Sequence, residues 1–403
     1  MDISIPTLLL QKLLRFNDIT VSAQYDKYLN YWPLLVIGIV SAFILSPILG
    51  RIANKYKITY IPKTKRNNRE FDNEQKALHK IETPALGGLA MSIPVLIMIP
   101  ILFRLDPITI PIFISLLVLV IGSLLDDVLN LPAKVQFGYQ ALAAGIIAIS
   151  IIDLSNVSFF ADDLLNLSTY TWSGNIFNLA LSFVFPGDIF LMLWIMFCIN
   201  AVKWVGGSPG LAESYSLVIF MLLFVVSVRT FSIFSSSMSI LIAGTLISVL
   251  YFAYPDPKIM SGSTGKTLFG FLISVLSLIS GAKISTTIML MAIPLIDAVY
   301  VILHRYIKYR PKNLLDILKF NDATHLHHQL LKLNLTDRQV LLLEASVSLL
   351  VSSLAILTTG AFRYFALIFG LAFVVALIVF VNYKASKKDI PEEKKSPESK
   401  YSY

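Results

Sequence analysis

Eleven apolar segments, each roughly 15–21 residues long, recur along this 403-residue chain with short polar breaks between them. Their approximate limits are 33–50, 86–103, 107–125, 136–152, 188–205, 212–228, 237–254, 268–282, 286–303, 339–358 and 364–383. About 20 helical residues cross a hydrocarbon layer, so the pattern predicts an all-α, polytopic integral membrane helical bundle of about 11 spans. The eighth run is short for a full crossing. Composition agrees. The chain is 56% hydrophobic and 14% charged, against about 25% charged in a soluble domain. Its mean hydropathy is +0.73. The net charge of +8 fits basic loops beside anionic lipid and does not require nucleic acid. The single cysteine, Cys198, excludes an intrachain disulfide.

Charge sets the expected orientation. With the N-terminus outside, twenty-six of the thirty-three Lys and Arg residues fall on inner segments. That bias places the C-terminus in the cytoplasm, in a multi-pass bacterial inner membrane protein. The long outer loop, 153–187, has no Lys or Arg; it holds Asp153, Asp162 and Asp163, with Asp188 at its border. Three regions follow: an extracytoplasmic N-terminal segment 1–32 with an amphipathic stretch Ile5–Phe16, a membrane domain 33–383, and a disordered cytoplasmic tail 384–403. No cleavable signal peptide is visible.

Four polar clusters interrupt the apolar pattern, all on predicted inner segments. Asp126 and Asp127 end the third span, where hard carboxylate oxygens suit Mg²⁺ or proton transfer; plain helix-end polarity explains an isolated pair equally well. Asp322, His325, His327 and His328 crowd one loop, and imidazoles at that density suit phosphate or metal contacts better than packing. Asn200 to Gly210, with Lys203, Gly206 and Pro209, forms a glycine turn whose N–H groups could face an anion. Ser261 to Lys266, including Ser263, puts hydroxyls and a lysine before a helix, without Walker A spacing. Either of the last two could be a plain turn. A basic loop, 51–85, leads into a TPALGG turn. Together the clusters suit transfer of a phosphate-bearing group from a soluble donor to a lipid acceptor, a reaction that needs charge neutralisation and in-line positioning.

The stretches HKIETPALGGLAM, LLDDVLNLPAKVQFGYQALAA, NAVKWVGGSPGLAES, YPDPKIMSGSTGKTLFGF, IPLID and NDATHLHHQLL resemble, in order and spacing, the polyprenyl-phosphate N-acetylhexosamine-1-phosphate transferases. The resemblance covers about residues 51–345. HLHH looks more like the undecaprenyl-phosphate GlcNAc-1-phosphate transferase branch than the phospho-N-acetylmuramoyl-pentapeptide transferase branch. The resemblance implies a Mg²⁺-dependent attack of polyprenyl phosphate on the β-phosphorus of a UDP-sugar, releasing UMP, in cell-wall or surface-glycan synthesis. It implies catalytic or metal-proximal roles for Asp126 and Asp127 and phosphate contacts for His325, His327 and His328. Lys134, Asn200, Lys203, Ser263, Lys266 and Asp297 would bind substrate or face the same site. A homodimer is left open.

The chain also departs from the family pattern. Where the family usually reads NAxNxxDGxDGLA, this chain has Lys203, Gly206 and Pro209 at the second Asn and the two Asp positions. Where it reads GDxGS, Ser263 replaces the Asp and Lys266 the Ser. Lost carboxylates weaken Mg²⁺ binding, and two added lysines supply charge without a metal's geometry. Two alternatives therefore stand: a non-catalytic homologue that binds polyprenyl phosphate, and a lipid-linked sugar or ion transporter. The transporter fits poorly with spans so low in charge.

Overall fold

Apolar runs in lipid have no water to satisfy their backbone groups, so they close their hydrogen bonds internally as helices. All eleven segments are helical in the computed structural model. It describes residues 26–60, 82–150, 152, 156–158, 164–176, 179–206, 208–281, 284–311, 323–358 and 360–388. Helix α1 is Trp32–Lys55. Two short paired strands follow, β1 (Thr59–Tyr60) and β2 (Thr83–Pro84). Then come α2 (Gly87–Leu102), α3 (Thr109–Leu129) and α4 (Ala133–Ala148). Strands β3 (Asn156–Ser158) and β4 (Leu164–Asn166) pair with each other. Strands β5 (Ser168–Ile176) and β6 (Leu179–Pro186) form a second antiparallel hairpin. That hairpin runs directly into α5 (Gly187–Val205). Helices α6 (Leu211–Arg229), α7 (Ile233–Ala253) and α8 (Gly262–Ile279) complete the centre of the bundle.

The ninth segment is two helices, α9 (Ile284–Leu290) and α10 (Ala292–Tyr309), bent by 82° at their junction. A short helix α11 (Leu326–Lys332) precedes α12 (Asp337–Leu357) and α13 (Gly360–Lys388). Among the described residues, seven helices are long and apolar enough to cross a membrane, or eight if the bent pair is one span; α2 is a shorter apolar helix. The protein is an all-α, polytopic membrane bundle.

Helix α8 starts earlier than its apolar run. Gly262 to Lys266, expected to lie in a turn before the span, form its first residues. Small residues let it sit close to α2: a Cβ at Gly88 would overlap the Gly265 backbone nitrogen. Helices α1 and α7 approach in the same way, since a Cβ at Gly38 would overlap the Leu241 carbonyl and one at Gly244 the Leu35 carbonyl.

The ends of the helices sort as alternating passage requires. At one end Phe103 packs on Phe234 with ring centroids 4.8 Å apart. There Ser182 N–H donates to Ile149 O at 3.1 Å, Arg229 donates to Ile356 O at 2.9 Å, and Arg363 donates to Thr286. The C-terminal ends of α1, α3 and α5 meet the N-terminal ends of α4, α8 and α11 at the other end. Helix α13 extends to Lys388, into the segment assigned to the tail. The stretch Ile5–Phe16, loop residues 61–81, Asp153, Asp162, Asp163, Asp322 and residues 389–403 lie outside the described residues.

Candidate active site at one end of the bundle

Successive residues on a helix point about 100° apart, so Asp126 and Asp127 face different neighbours from the last turn of α3. Asp127 faces α8. Its Oδ1 accepts from the Ser263 backbone N–H at 2.6 Å. Its Oδ2 accepts from the Thr264 N–H at 3.0 Å and the Thr264 hydroxyl at 2.7 Å. A carboxylate here satisfies orphan donors at the helix start and complements the helix dipole. Gly262 is required beside it. It has φ +68°, and a Cβ would lie 2.6 Å from an Asp127 oxygen. Ser263 therefore enters the site through its backbone.

Tyr60 donates to Asp127 Oδ1 at 3.4 Å. Burial, and then the charges of Asp127 and Asp126, push its phenol well above its ordinary value, so it stays a donor through the neutral range. The β1–β2 pairing holds Tyr60 in place. The same strap reaches α8 through Met260 N–H to Pro84 O at 2.8 Å and Gly87 N–H to Met260 O at 2.9 Å.

Asp126 faces α4 and α5. Oδ1 accepts from Leu131 N–H at 3.1 Å and Gln136 Nε2 at 2.9 Å, and Oδ2 lies 3.7 Å from Lys203 Nζ. Lys203 also donates to Gln136 Oε1 at 2.7 Å, closing a three-membered ring. One turn before Lys203, Asn200 donates to Gln140 Oε1 at 2.7 Å and Met196 O at 2.8 Å. The Asn200 amide N–H groups thus tie α5 to α4. Lys134 is exposed at the start of α4, outside this ring.

Lys266 crosses from α8 to the glycine turn and donates to Gly206 O at 2.7 Å, with its ammonium 6.0 Å from the Tyr60 ring centre. Gly206 leaves room for this crossing, since a Cβ there would displace the flexible end of the Lys266 side chain. Two of the departures noted in the sequence are therefore one structural device. Pro209 lies in the turn that follows.

The histidines form the neighbouring part of the site. His325, the residue before α11, makes a 2.7 Å bond through Nδ1 with Asp297 Oδ2. Asp297 Oδ1 accepts from Leu326 N–H at 2.9 Å. The His325 and His327 rings stack 5.9 Å apart, and His327 lies 4.2 Å from His328. Trp204, next to Lys203 on α5, packs 6.3 Å from His325. One turn of α5 thus joins the lysine ring to the histidine group. Thr264 belonged to the Ser261 to Lys266 cluster without a role of its own, and Tyr60, Gln136, Gln140 and Trp204 were not singled out in the sequence. Only the i, i+4 spacing of Gln136 and Gln140 on α4 hinted at a shared polar face.

The carboxylates do not offer a magnesium site. Magnesium needs near-octahedral oxygen ligands. Both Asp127 oxygens are occupied by the start of α8, and Asp126 is shared between Gln136 and Lys203. No group of three His, Cys, Asp or Glu suited to a metal occurs among the described residues.

Residues 109–281, from the start of α3 through α8, match the sequence pattern of glycosyl transferase family 4. The chain is 25% identical over 380 residues to a probable undecaprenyl-phosphate N-acetylglucosaminyl 1-phosphate transferase of Bacillus subtilis, covering 91% of this chain and 94% of that protein. It is 24% identical to a decaprenyl-phosphate N-acetylglucosaminephosphotransferase of Mycobacterium leprae, over 77% of this chain and 80% of the relative. A phospho-N-acetylmuramoyl-pentapeptide-transferase of Staphylococcus haemolyticus is 27% identical, over 62% and 77%. With this bundle and its polar end, residues 109–281 resemble glycosyl transferase family 4, and the chain as a whole is similar to membrane-bound sugar-phosphate transferases.

Proposed function

We propose that this protein transfers an N-acetylhexosamine 1-phosphate from a UDP-sugar to a polyprenyl phosphate such as undecaprenyl phosphate, in cell-wall or surface-glycan synthesis. An oxygen of the lipid phosphate attacks the β-phosphorus of the donor. A new P–O bond forms, the bond from that phosphorus to the bridging oxygen breaks, and UMP leaves with its electron pair. The observation that carries this reading is that Asp126, Asp127, Lys203, Lys266 and the histidines gather at one end of a bundle that matches a full-length relative named for this kind of transfer. A pathway across the membrane would instead distribute ionisable groups along the spans.

The chain's own groups divide the work. Lys203 and Lys266 neutralise donor phosphates, and His325, His327 and His328 contact phosphate oxygens. Asp126 holds Lys203 in place, and Asp297 holds His325. Asp127 aims the start of α8, with Ser263, at the site. Lys134 and Asn200 border it, Lys134 as a surface cation on the approach of the anionic donor. The donor set does not fit magnesium, so the lysines supply the positive charge. The charge bias makes this the cytoplasmic end, where a UDP-sugar is available.

The test is incubation of membranes containing the protein with a panel of radiolabelled UDP-N-acetylhexosamines and undecaprenyl phosphate. Label should pass into the lipid phase with one sugar. Retained lipid-phosphate binding with no labelled lipid from any donor would instead make this a non-catalytic homologue.

A further inference from the structure

We infer that the ammonium groups of Lys203 and Lys266 take the place of a divalent cation, so that the protein grips a nucleoside diphosphate without metal. The inference rests on the donor class proposed above. Three observations carry it. First, Asp127 gives both oxygens to the start of α8, while Asp126 accepts from Gln136 and is ion-paired at 3.7 Å with Lys203, so a cation's place beside them is already taken by an ammonium. Second, both lysines enter this same polar end and neither is fully consumed by its partners. An ammonium has three donors. Lys203 donates to Gln136 and lies 3.7 Å from Asp126 as an ion pair, and Lys266 bonds Gly206 O. Each keeps a direction for a phosphate oxygen. Third, the Lys266 position is built in. The end of its side chain lies where a Cβ at 206 would be, so a side chain there would displace the ammonium from its present place.

Charge bookkeeping agrees. Against the family pattern, Lys203, Gly206, Pro209, Ser263 and Lys266 each move the local charge one unit towards positive. Together the shift exceeds the two charges a divalent ion brings. Lysine supplies that charge as a fixed point without coordination geometry. Glu213, buried at the start of α6, faces Lys266 and holds the excess in check.

The experiment is calorimetric titration of UDP into the purified full-length protein in nanodiscs, in EDTA and again in MgCl₂. The expected affinities agree within about twofold, and Lys203→Met and Lys266→Met each weaken binding in EDTA by about tenfold, the scale of one lost charged hydrogen bond. Methionine keeps the stem volume, and thermal unfolding reports whether each variant folds. The wild-type comparison needs no variant at all. Binding that is absent in EDTA and restored by MgCl₂ would overturn the inference. So would failure to bind UDP under either condition. UDP binding in EDTA without sugar-phosphate transfer would support the metal-free grip while contradicting the transferase reading.

Discussion

Asp127 is the residue whose surroundings say most about its task. Its oxygens take two backbone N–H groups and a hydroxyl at the start of α8, so its immediate work is to hold that helix end. Asp127→Ala should cost about 0.5–2 kcal/mol, as the loss of a capping side chain does. The check is the thermal unfolding midpoint in detergent. Asp127→Asn keeps an acceptor but loses the charge and should spare most of that stability. Gly262 gives a sharper case. Its positive φ and the closeness of Asp127 make Gly262→Ala doubly unfavourable. The backbone component alone is about 1–2 kcal/mol, so the variant should unfold earlier than Asp127→Asn. The adjacent Asp pair was legible in the sequence as a polar signal. Its division of labour was not, because which way each carboxylate points depends on helices more than a hundred residues away.

At the scale of elements, α10 and α11 are coupled through Asp297, which bonds both the His325 ring and the Leu326 N–H. If Asp297 acts by positioning His325, the two residues form one unit and their losses should not add. Transfer rates of Asp297→Asn, His325→Gln and the double variant decide this. The double variant is expected to be no slower than His325→Gln alone, whereas fully additive losses would separate the two roles.

Element boundaries were only partly readable. The eleven apolar runs all became helices because hydropathy dictates internal hydrogen bonding. The 82° bend between α9 and α10 left no mark, since hydropathy continues across Met291. The early start of α8 was hidden for the opposite reason. Its small polar residues look like a turn until α2 packs against them. Glu344, buried within α12, was likewise missed by a reading that took the spans to be nearly free of charge.

On the scale of the whole molecule, the protein keeps its two ends chemically distinct. The site occupies one end, and the β5–β6 hairpin with Arg229 and Arg363 marks the other. The charge bias assigns the hairpin to the outside. Because Cys198 is fully buried, introduced cysteines can be labelled over a low background. Ser173→Cys, in the exposed strand β5, should react with an impermeant maleimide in intact cells, and Ser386→Cys, exposed near the end of α13, only after permeabilisation. The reverse pattern would invert the bundle and put the site on the wrong face for a cytoplasmic donor.

The central claim is that the bond broken lies between the two phosphates of the donor. The direct measurement is identification of the released nucleotide, with the lipid product, when purified protein in proteoliposomes receives a UDP-N-acetylhexosamine and undecaprenyl phosphate. The account predicts one UMP for each lipid-linked sugar diphosphate formed. Release of UDP with a lipid-linked sugar monophosphate would mean transfer of the sugar alone and would contradict it.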